Sequence, residues 1–586
     1  MGRLLPIGRF RQGKAVLLAT ALGVGIITVA APPAVARSMH GSSPGRSIHG
    51  SSPGQSTHGS TPGRSMHGST PSRASRPSAP GRSSHQFSPG RPGHRYSFSP
   101  QVIHTGTAPT GYEVTFRYYD PTATTVQIRG EWYFSNAADD NTTTMSSLGL
   151  LPPQWAPGDF PIAYPNQGPA PNWPVAQMTK DASTGVWSYT TPLPSGTFTY
   201  GFYVNCTTPP PGLSGCTELA DPSNPPWNTS GSIEPDSQVY VPSDPRFGTP
   251  DMSWEAPNRH VHGSLYDVSY PDSQSTSPVG SHPLAIYLPP GYDPHRRLPY
   301  PTLYLSHGGG GNEVDWTTQG AANRIIDNLI AARMVQPMVI VMTDFNNLGT
   351  CAIFDASCYA TDVSNNVIPY VNAHYNVSRN PDDRAFAGLS LGGLMANYLL
   401  FNDTTLFGYY GSWSIADIGA PAATSAQWQN PALKTRLGIE LGGGNFDELT
   451  IPGLDAYETT FTMNGIPFTD VRIDGGHEWY TWRQLLYDYA TTMAFRHTTT
   501  SVQTASPRWH SRRHQVIATV TGDTTEPVPP GGTVQFYVNG QKVGHPRRLV
   551  RGHAFLPLFG GGGAVTAVYG GDNYYNASTS QPVSVS

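Results

Sequence analysis

Ser390 lies in a segment whose glycine spacing is typical of an activated serine nucleophile. Residues 384–397 read RAFAGLSLGGLMAN, which predicts a short apolar strand, a tight turn flanked by Gly388 and Gly392, and the start of a helix. These glycines remove the Cβ atoms that would collide at such a turn, so the hydroxyl projects above the sheet. The amide of Leu391 opens the helix and is predicted to donate to the oxyanion of a tetrahedral intermediate. A chain with 63 glycines also produces this motif by chance, so its partners decide the interpretation.

His477 is the predicted general base. A serine hydroxyl needs an imidazole to accept its proton and a carboxylate to orient that imidazole. His477 lies in DGGHEW, residues 474–479, after the strand-like run 468–473 and before a helical run. His497 follows the helical run 481–495, and we interpret it as a structural charge at a helix C-terminus.

The predicted acid follows another strand. The run LGIEL at 437–441 is typical of a buried parallel strand, and it leads into Asp447 and Glu448. Catalytic loops lie at the carboxyl ends of such strands. Asp447 is the first choice and Glu448 the alternative, because sequence alone does not determine loop geometry. Asp474 is a third candidate that we expect to cap the turn before His477.

A glycine tract upstream predicts the second half of an oxyanion hole. The strand-like run 301–305 leads into SHGGGGN, residues 306–312. Gly309 is the predicted second donor and Gly308 the alternative, since glycines allow close backbone approach to a substrate. The competing interpretation is a phosphate-binding loop, but no Gly-Lys-Ser/Thr ending follows. We expect His307 to orient this loop by hydrogen bonding. The candidate substrate contacts are His307, Trp316 and Trp479.

Together these residues resemble the putative esterase family, which includes feruloyl and acetyl xylan esterases, enterochelin esterases, S-formylglutathione hydrolase and the bacterial mycolyltransferases. The resemblance rests on LSHGGGG at 305–311, GLSLGG at 388–393, GNFD at 444–447 and GGHEW at 475–479. It implies an α/β-hydrolase fold, in which Ser390, Asp447 and His477 are nucleophile, acid and base. The family includes hydrolases and acyltransferases, so the resemblance does not choose between these activities.

The N-terminus predicts export. Four basic residues precede an apolar run at 15–31, and Ala34-Val-Ala36 is a small-residue cleavage signal, so we expect a signal peptide over residues 1–36. An uncleaved membrane anchor is the alternative. Residues 37–102, which begin with nine-residue repeats of the type SMHGSSPGR, are predicted to be a disordered linker. We therefore expect a secreted or cell-surface protein with no membrane span once the signal is cleaved.

Two all-β domains are predicted on either side of the hydrolase. Alternating strand patterns predict an immunoglobulin-like early-set sandwich at 103–247, the α/β-hydrolase at 248–499, and a bacterial immunoglobulin-like sandwich at 500–586. Aromatic residues of the first sandwich are candidates for stacking on sugar rings, although core packing is the more ordinary role. These residues are Trp132, Trp155, Trp173 and Trp227.

The four cysteines form two close pairs in sequence, which favours the disulfides Cys206–Cys216 and Cys351–Cys358 in an exported chain. Their spacing does not fit zinc, and we expect neither a metal nor a cofactor. The formal net charge is −4, and no basic stripe indicates nucleic acid as a partner.

We therefore predict a secreted serine esterase whose substrates are carboxylic esters, with feruloyl or acetyl esters on polysaccharide as the favoured class. One alternative is an acyltransferase that acts on sugars or wall lipids, since a drier cleft would favour an alcohol over water. A second alternative is a non-enzymatic surface protein whose sandwiches contact glycan or cell wall.

Overall fold

The computed structural model describes residues 98–136, 149–162, 174–206, 216–228, 237–349, 351–352, 355–415, 421–422, 424–447, 449–505, 513–522, 529–559 and 562–585. The predicted signal peptide, almost all of the predicted linker, Trp173 and Glu448 lie outside these residues.

The first part of the chain forms two four-stranded antiparallel sheets. Their strand orders are β1-β2-β8-β7 and β10-β9-β3-β6, and β4 pairs with β5 beside them. The strands are β1 Gln101–His104, β2 Tyr112–Tyr119, β3 Val126–Gly130, β4 Phe134–Ser135, β5 Phe160–Pro161, β6 Val175–Gln177, β7 Thr179–Asp181, β8 Val186–Pro192, β9 Gly196–Val204 and β10 Ser237–Val241. Alternate apolar residues of both sheets share one core, which includes Trp132 and Trp155. Since these two tryptophans are 2% and 3% exposed, they do not offer a surface to sugar.

The central part is an α/β-hydrolase sheet of eight strands. The strands are β11 Ser264–Thr276, β12 Val279–Leu288, β13 Thr302–Ser306, β14 Val339–Thr343, β15 Arg384–Leu389, β16 Tyr409–Trp413, β17 Gly438–Gly444 and β18 Thr469–Ile473. They lie in the order β11-β12-β14-β13-β15-β16-β17-β18. β12 is antiparallel to both of its neighbours, and every pairing from β14 to β18 is parallel.

Helices cover both faces of this sheet. They are α1 Asp315–Thr318, α2 Ala322–Ala331, α3 Ser357–Asp362, α4 Ile368–His374, α5 Leu391–Asn402, α6 Ile451–Met463 and α7 Trp479–Asp488, with π-helical turns at Val363–Val367 and Tyr489–Met493. Short 3₁₀ turns lie at Pro152–Gln154, Pro245–Phe247, Ser253–Glu255, Pro381–Asp383, Ala426–Gln429 and Pro431–Thr435. Strand β14 is buried on both faces, because Val339 and Val341 join the core under α3 to α6, whereas Ile340 and Met342 join the core under α1, α2 and α7. Continuous apolar strands are what a parallel sheet with two covered faces requires.

The last part of the chain forms two further antiparallel sheets. The strands are β19 Thr498–Ala505, β20 Arg513–Gly522, β21 Thr533–Val538, β22 Gln541–Arg548, β23 His553–Phe559, β24 Gly563–Tyr569, β25 Ser578–Thr579 and β26 Val583–Val585. One sheet is β19-β20-β23, and the other is β22-β21-β24-β25 with β26 also paired to β24. Among the described residues, no helix combines the length and apolar character needed to cross a bilayer.

A buried ionic cluster joins the first sandwich to the hydrolase. Arg483 of α7 is 1% exposed, and its Nη2 donates to Glu131 Oε2 at 3.0 Å. Its Nε lies 3.7 Å from Glu255 Oε1. Backbone amides of β9 donate to both carboxylates, from Thr199 to Glu131 at 3.1 Å and from Thr197 to Glu255 at 2.6 Å. Buried charges are tolerated only when paired and hydrogen-bonded in this way, so the two parts of the chain depend on each other here.

Replacing Arg483 with methionine should destabilise the protein by about 3–5 kcal/mol, because two buried carboxylates lose their cation. Calorimetry or chemical denaturation of the full chain measures this loss. The exposed Arg259→Met variant is the matched control and should unfold like the parent protein. If Arg483→Met and the parent protein were equally stable, the ionic cluster would make no net contribution to the free energy of unfolding.

Glu440 of β17 is a second buried acid, and it lies in the core with no exposed surface. Burial, with a smaller contribution from the charge of Asp488, raises the pKa of Glu440 well above that of an ordinary glutamate. The indole Nε1 of Trp413 donates to its Oε1 at 2.8 Å, which only partly offsets this effect. The folded protein therefore binds a proton at Glu440 more tightly than the unfolded chain does.

This difference predicts a pH-dependent effect of Glu440→Gln. This tighter proton binding stabilises the folded protein. The stabilisation is fully present below the pKa of Glu440 in the unfolded chain, about 4.3, and is lost as pH rises towards its pKa in the folded protein. Glutamine carries no titrating proton, so the melting temperature of the variant relative to the parent should rise between pH 5 and pH 8, by about 3 °C or more. A difference in melting temperature between variant and parent that stays constant from pH 5 to pH 8 would contradict the prediction.

Candidate active site

Ser390 occupies a strained turn between β15 and α5. Its φ is 53° and its ψ is −118°, a conformation that costs energy in any residue with a Cβ. The turn also passes very close to the end of β13, since a Cβ on Gly392 would collide with the carbonyl oxygens of Ser306 and His307. A Cβ on Gly388 would collide with the backbone of Gly392. The two glycines that flank the serine are therefore needed for the backbone to close this turn.

The glycine loop after β13 lies against this turn. A Cβ built on Gly308 would lie 3.3 Å from Ser390 Cβ, and one built on Gly309 would lie 3.2 Å from Leu391 Cδ1. Leu391 is the first residue of α5, where a backbone N–H has no partner within the helix. The structure thus brings both predicted oxyanion donors next to the serine.

His477 bridges Ser390 and Asp447. Its Nε2 lies 3.0 Å from Ser390 Oγ, and its Nδ1 lies 2.8 Å from Asp447 Oδ2. The imidazole packs edge-on against the Trp482 ring, with ring centroids 5.0 Å apart. About a fifth of the histidine side chain is exposed, at 18%, whereas the aspartate is fully buried. This row is the arrangement in which an imidazole takes a hydroxyl proton while a carboxylate fixes its tautomer.

Asp447 remains ionised despite its burial. Burial alone would raise its pKa, but the charge and hydrogen bond of His477 and further hydrogen bonds from Thr450 and Ser414 outweigh it and lower the pKa. The Thr450 backbone N–H also donates to Asp447 Oδ1 at 3.2 Å. Ser414 in turn accepts a hydrogen bond from Trp482 Nε1 at 3.0 Å. The carboxylate is thus held in one orientation towards the histidine.

The other candidates for acid and base lie elsewhere. Asp474 Oδ1 accepts a hydrogen bond from Asn445 Nδ2 at 2.6 Å, which ties the loops after β17 and β18 together. Glu448 lies outside the described residues. His497 comes just before β19, beyond the end of α7 and its π-helical turn. The ring of His477 is therefore oriented by Asp447 and not by Asp474.

His307 supports the glycine loop through a hydrogen bond to its backbone. Its ring is fully buried, with Nδ1 2.7 Å from the Gly308 carbonyl oxygen and Nε2 3.0 Å from Asp344 Oδ1. Burial would lower its pKa, but the hydrogen bond and charge of Asp344, the charge of Asp315 and the Gly308 carbonyl raise it instead. Because a peptide unit is planar, a hydrogen bond to the Gly308 carbonyl also directs the Gly309 N–H, which points the opposite way. A direct contact between His307 and substrate does not fit this burial.

The predicted tryptophan contacts are also enclosed. Trp316 is 1% exposed and donates to the Ser306 carbonyl at 3.0 Å, while Trp479 is 8% exposed and donates to Gln319 Oε1. Both rings pack against each other in the core beside α7, so they support the site and are poor candidates for contact with substrate. The two predicted disulfides are present, Cys206–Cys216 and Cys351–Cys358.

Two supporting residues were not predicted as part of the site. Ser414 follows β16 and Asp344 follows β14, so both lie at carboxyl ends of parallel strands, the edge where functional groups of this fold gather. Their position directly after a strand is the feature of the sequence that could have identified them. No motif marks either residue, because each supports the site through residues that lie far away in the chain.

Two parts of the chain match known protein families. Residues 275–493 match the putative esterase family. Residues 498–586 match the bacterial Ig-like domain (group 3). The esterase domain therefore contains the whole row of Ser390, His477 and Asp447, together with the glycine loop.

Similar proteins match parts of the chain. An endo-1,4-beta-xylanase/feruloyl esterase of Xylanibacter ruminicola is 30% identical over 242 residues, which cover 40% of this chain and 31% of that protein. An esterase of Mycobacterium tuberculosis is 28% identical over 179 residues, which cover 29% of this chain and 36% of that protein. The chain thus spans about a third of the length of these curated relatives. An enterobactin esterase structure from Shigella flexneri matches 67% of this chain and 96% of its own, at 18% identity and a TM-score of 0.42.

The support of the glycine loop leads to a prediction for Asp344→Asn. Without the carboxylate, His307 loses the charge that holds it against the Gly308 carbonyl, so the Gly309 N–H is less well oriented. For a small ester such as p-nitrophenyl acetate, kcat should fall about tenfold with KM within about twofold, since the donor acts on the transition state. A rise in KM at constant kcat would instead indicate a role in binding.

Proposed function

We propose that the esterase domain hydrolyses carboxylic esters through Ser390, with His477 as general base and Asp447 as the orienting acid. The observation that carries this proposal is the hydrogen-bonded row from Ser390 Oγ through His477 to Asp447 at a strained strand-to-helix turn. The match to the putative esterase family and the esterase relatives support the same reaction class.

The reaction follows from the geometry in two stages. His477 Nε2 accepts the Ser390 proton as Oγ attacks the ester carbonyl, and the amides of Leu391 and Gly309 stabilise the oxyanion. The protonated imidazole then donates to the leaving alcohol, and an acyl-enzyme remains. Water activated by His477 attacks this ester in the second stage and releases the acid and the free serine.

The proposed substrates are feruloyl or acetyl esters attached to polysaccharide, and we propose that the protein acts outside the cell. The relative from Xylanibacter ruminicola is an endo-1,4-beta-xylanase/feruloyl esterase, which supports a plant-polysaccharide substrate. The predicted signal peptide supports export. The family alone does not choose the acyl group, so the substrate class needs its own measurement.

Ser390→Ala is the test of the reaction. The variant should lose about 10⁴-fold or more in kcat on p-nitrophenyl acetate and on methyl ferulate, because it lacks the nucleophile. Its thermal unfolding should match that of the parent protein. Ser364→Ala, on the turn between α3 and α4, is the matched control and should keep full activity.

Activity in well-folded Ser390→Ala would overturn the assignment. Product analysis of the parent protein with added sugar alcohols separates hydrolysis from acyl transfer, since transfer yields a new sugar ester in place of the free acid.

A further inference from the structure

Trp227 differs from the other tryptophans in the described part of the chain, because 37% of it is exposed. Its only polar atom, Nε1, donates to Thr317 Oγ1 at 2.7 Å. The other side-chain atoms of Trp227 are all carbon. An exposed indole with a satisfied N–H is a surface for stacking rather than for hydrogen bonding.

The segment that carries Trp227 is firmly attached to the first sandwich. The Cys206–Cys216 disulfide connects the beginning of this segment to the end of β9, and Leu219 pairs with Phe202 in both directions at 2.9 Å. The buried Asp221 accepts a hydrogen bond from Tyr200 Oη at 2.7 Å. These bonds hold the segment on the sheet before it reaches the exposed tryptophan.

The tryptophan itself is held in one orientation. Pro225 and Pro226 precede it directly, and proline fixes the backbone φ angle. The partner hydroxyl is oriented as well, because Thr317 Oγ1 donates to the Val314 carbonyl at 2.7 Å and so receives the indole N–H on a lone pair. Binding a ligand on this ring therefore costs little conformational entropy.

Trp227 contacts the helix that follows the glycine loop. Thr317 belongs to α1, which begins at Asp315, shortly after Gly311. The next residue of the segment, Asn228, donates to Asp267 Oδ2 of β11 at 2.7 Å. The first residue of α1 contacts the glycine loop itself, since Asp315 Oδ2 accepts a hydrogen bond from the Asn312 N–H at 3.2 Å. These contacts join the segment of the exposed ring to the helix after the glycine loop and to β11.

We propose that Trp227 is a stacking subsite for a sugar ring on the alcohol side of the ester. The C–H groups of one sugar face carry partial positive charge and pack on the negative face of the indole. Asn228 and the exposed carboxylate of Asp267 stand beside the ring as partners for sugar hydroxyls. The proposal rests on the esterase function of Ser390 and names the part of the first sandwich that recognises the carbohydrate.

A purely structural role for Trp227 makes a different prediction, because its bond to Thr317 also joins the sandwich to the hydrolase. A clamp between domains would affect all substrates equally. A sugar subsite affects only substrates that carry a sugar. The comparison of two esters with the same acyl group therefore separates the two roles.

The test is steady-state hydrolysis of methyl ferulate and of a feruloylated arabinoxylan trisaccharide by the full chain and by Trp227→Ala. We expect kcat/KM for the trisaccharide ester to fall about five- to tenfold, with methyl ferulate within about twofold of the parent value. Trp227→Phe should recover most of the loss, since it keeps a ring. Tyr119→Ala removes another exposed aromatic of the same sandwich and should leave both substrates unchanged.

Equal losses on both esters, or no loss on either, would overturn the subsite. Binding of the unesterified trisaccharide to the Ser390→Ala protein, with and without Trp227→Ala, gives a readout that needs no catalysis. Weaker binding in the double variant supports the subsite, and equal binding overturns it. If the parent protein hydrolyses no ester, the proposed function fails, while this binding measurement still decides the role of Trp227.

Discussion

The strained backbone of Ser390 is the constraint on which the site depends. A residue at φ 53° and ψ −118° keeps its conformation only when the surrounding structure leaves no alternative. Here β15 lies in the middle of a parallel sheet, α5 packs on that sheet, and the carbonyls at the end of β13 press against Gly392. The packing of the sheet and the helix offsets the strain. As a result, the Ser390 hydroxyl is held at the carboxyl edge of the sheet, where the loops after the other strands also lie.

Those loops are joined to one another as much as to the sheet. The Asn445 side chain donates to Asp474, and the Phe446 amide donates to the Gly475 carbonyl at 3.0 Å, so the loops that carry Asp447 and His477 form one unit. On the other side, Asp344 and His307 connect the loop after β14 to the glycine loop. The proposed catalytic groups are thus held by hydrogen bonds between neighbouring strand ends, which leaves little freedom to be lost during the proposed reaction.

The first sandwich is part of this arrangement. Arg483 lies on the helix that follows His477, and its charge is neutralised by Glu131 of the sandwich. The stacked rings of Phe160 and Phe446, with centroids 5.0 Å apart, add an apolar contact beside the acid loop. A buried ion pair contributes little net stability when intact, but removal of one partner is costly. The domain boundary read from the sequence therefore separates two parts that share a buried ionic interface.

The sequence by itself determined the elements and the chemical types. Glycines around Ser390, strand-like runs that became β13, β15, β17 and β18, and polar turns at 447 and 477 are local signals, because strand period and turn chemistry depend on neighbours in the chain. The tertiary structure decided which acid faces His477, that Ser414 and Asp344 support the site, that Trp316 and His307 are enclosed, and that Arg483 reaches Glu131. These facts depend on contacts between residues far apart in sequence. Only the packing of the sheet brings such residues together, so no local pattern records them.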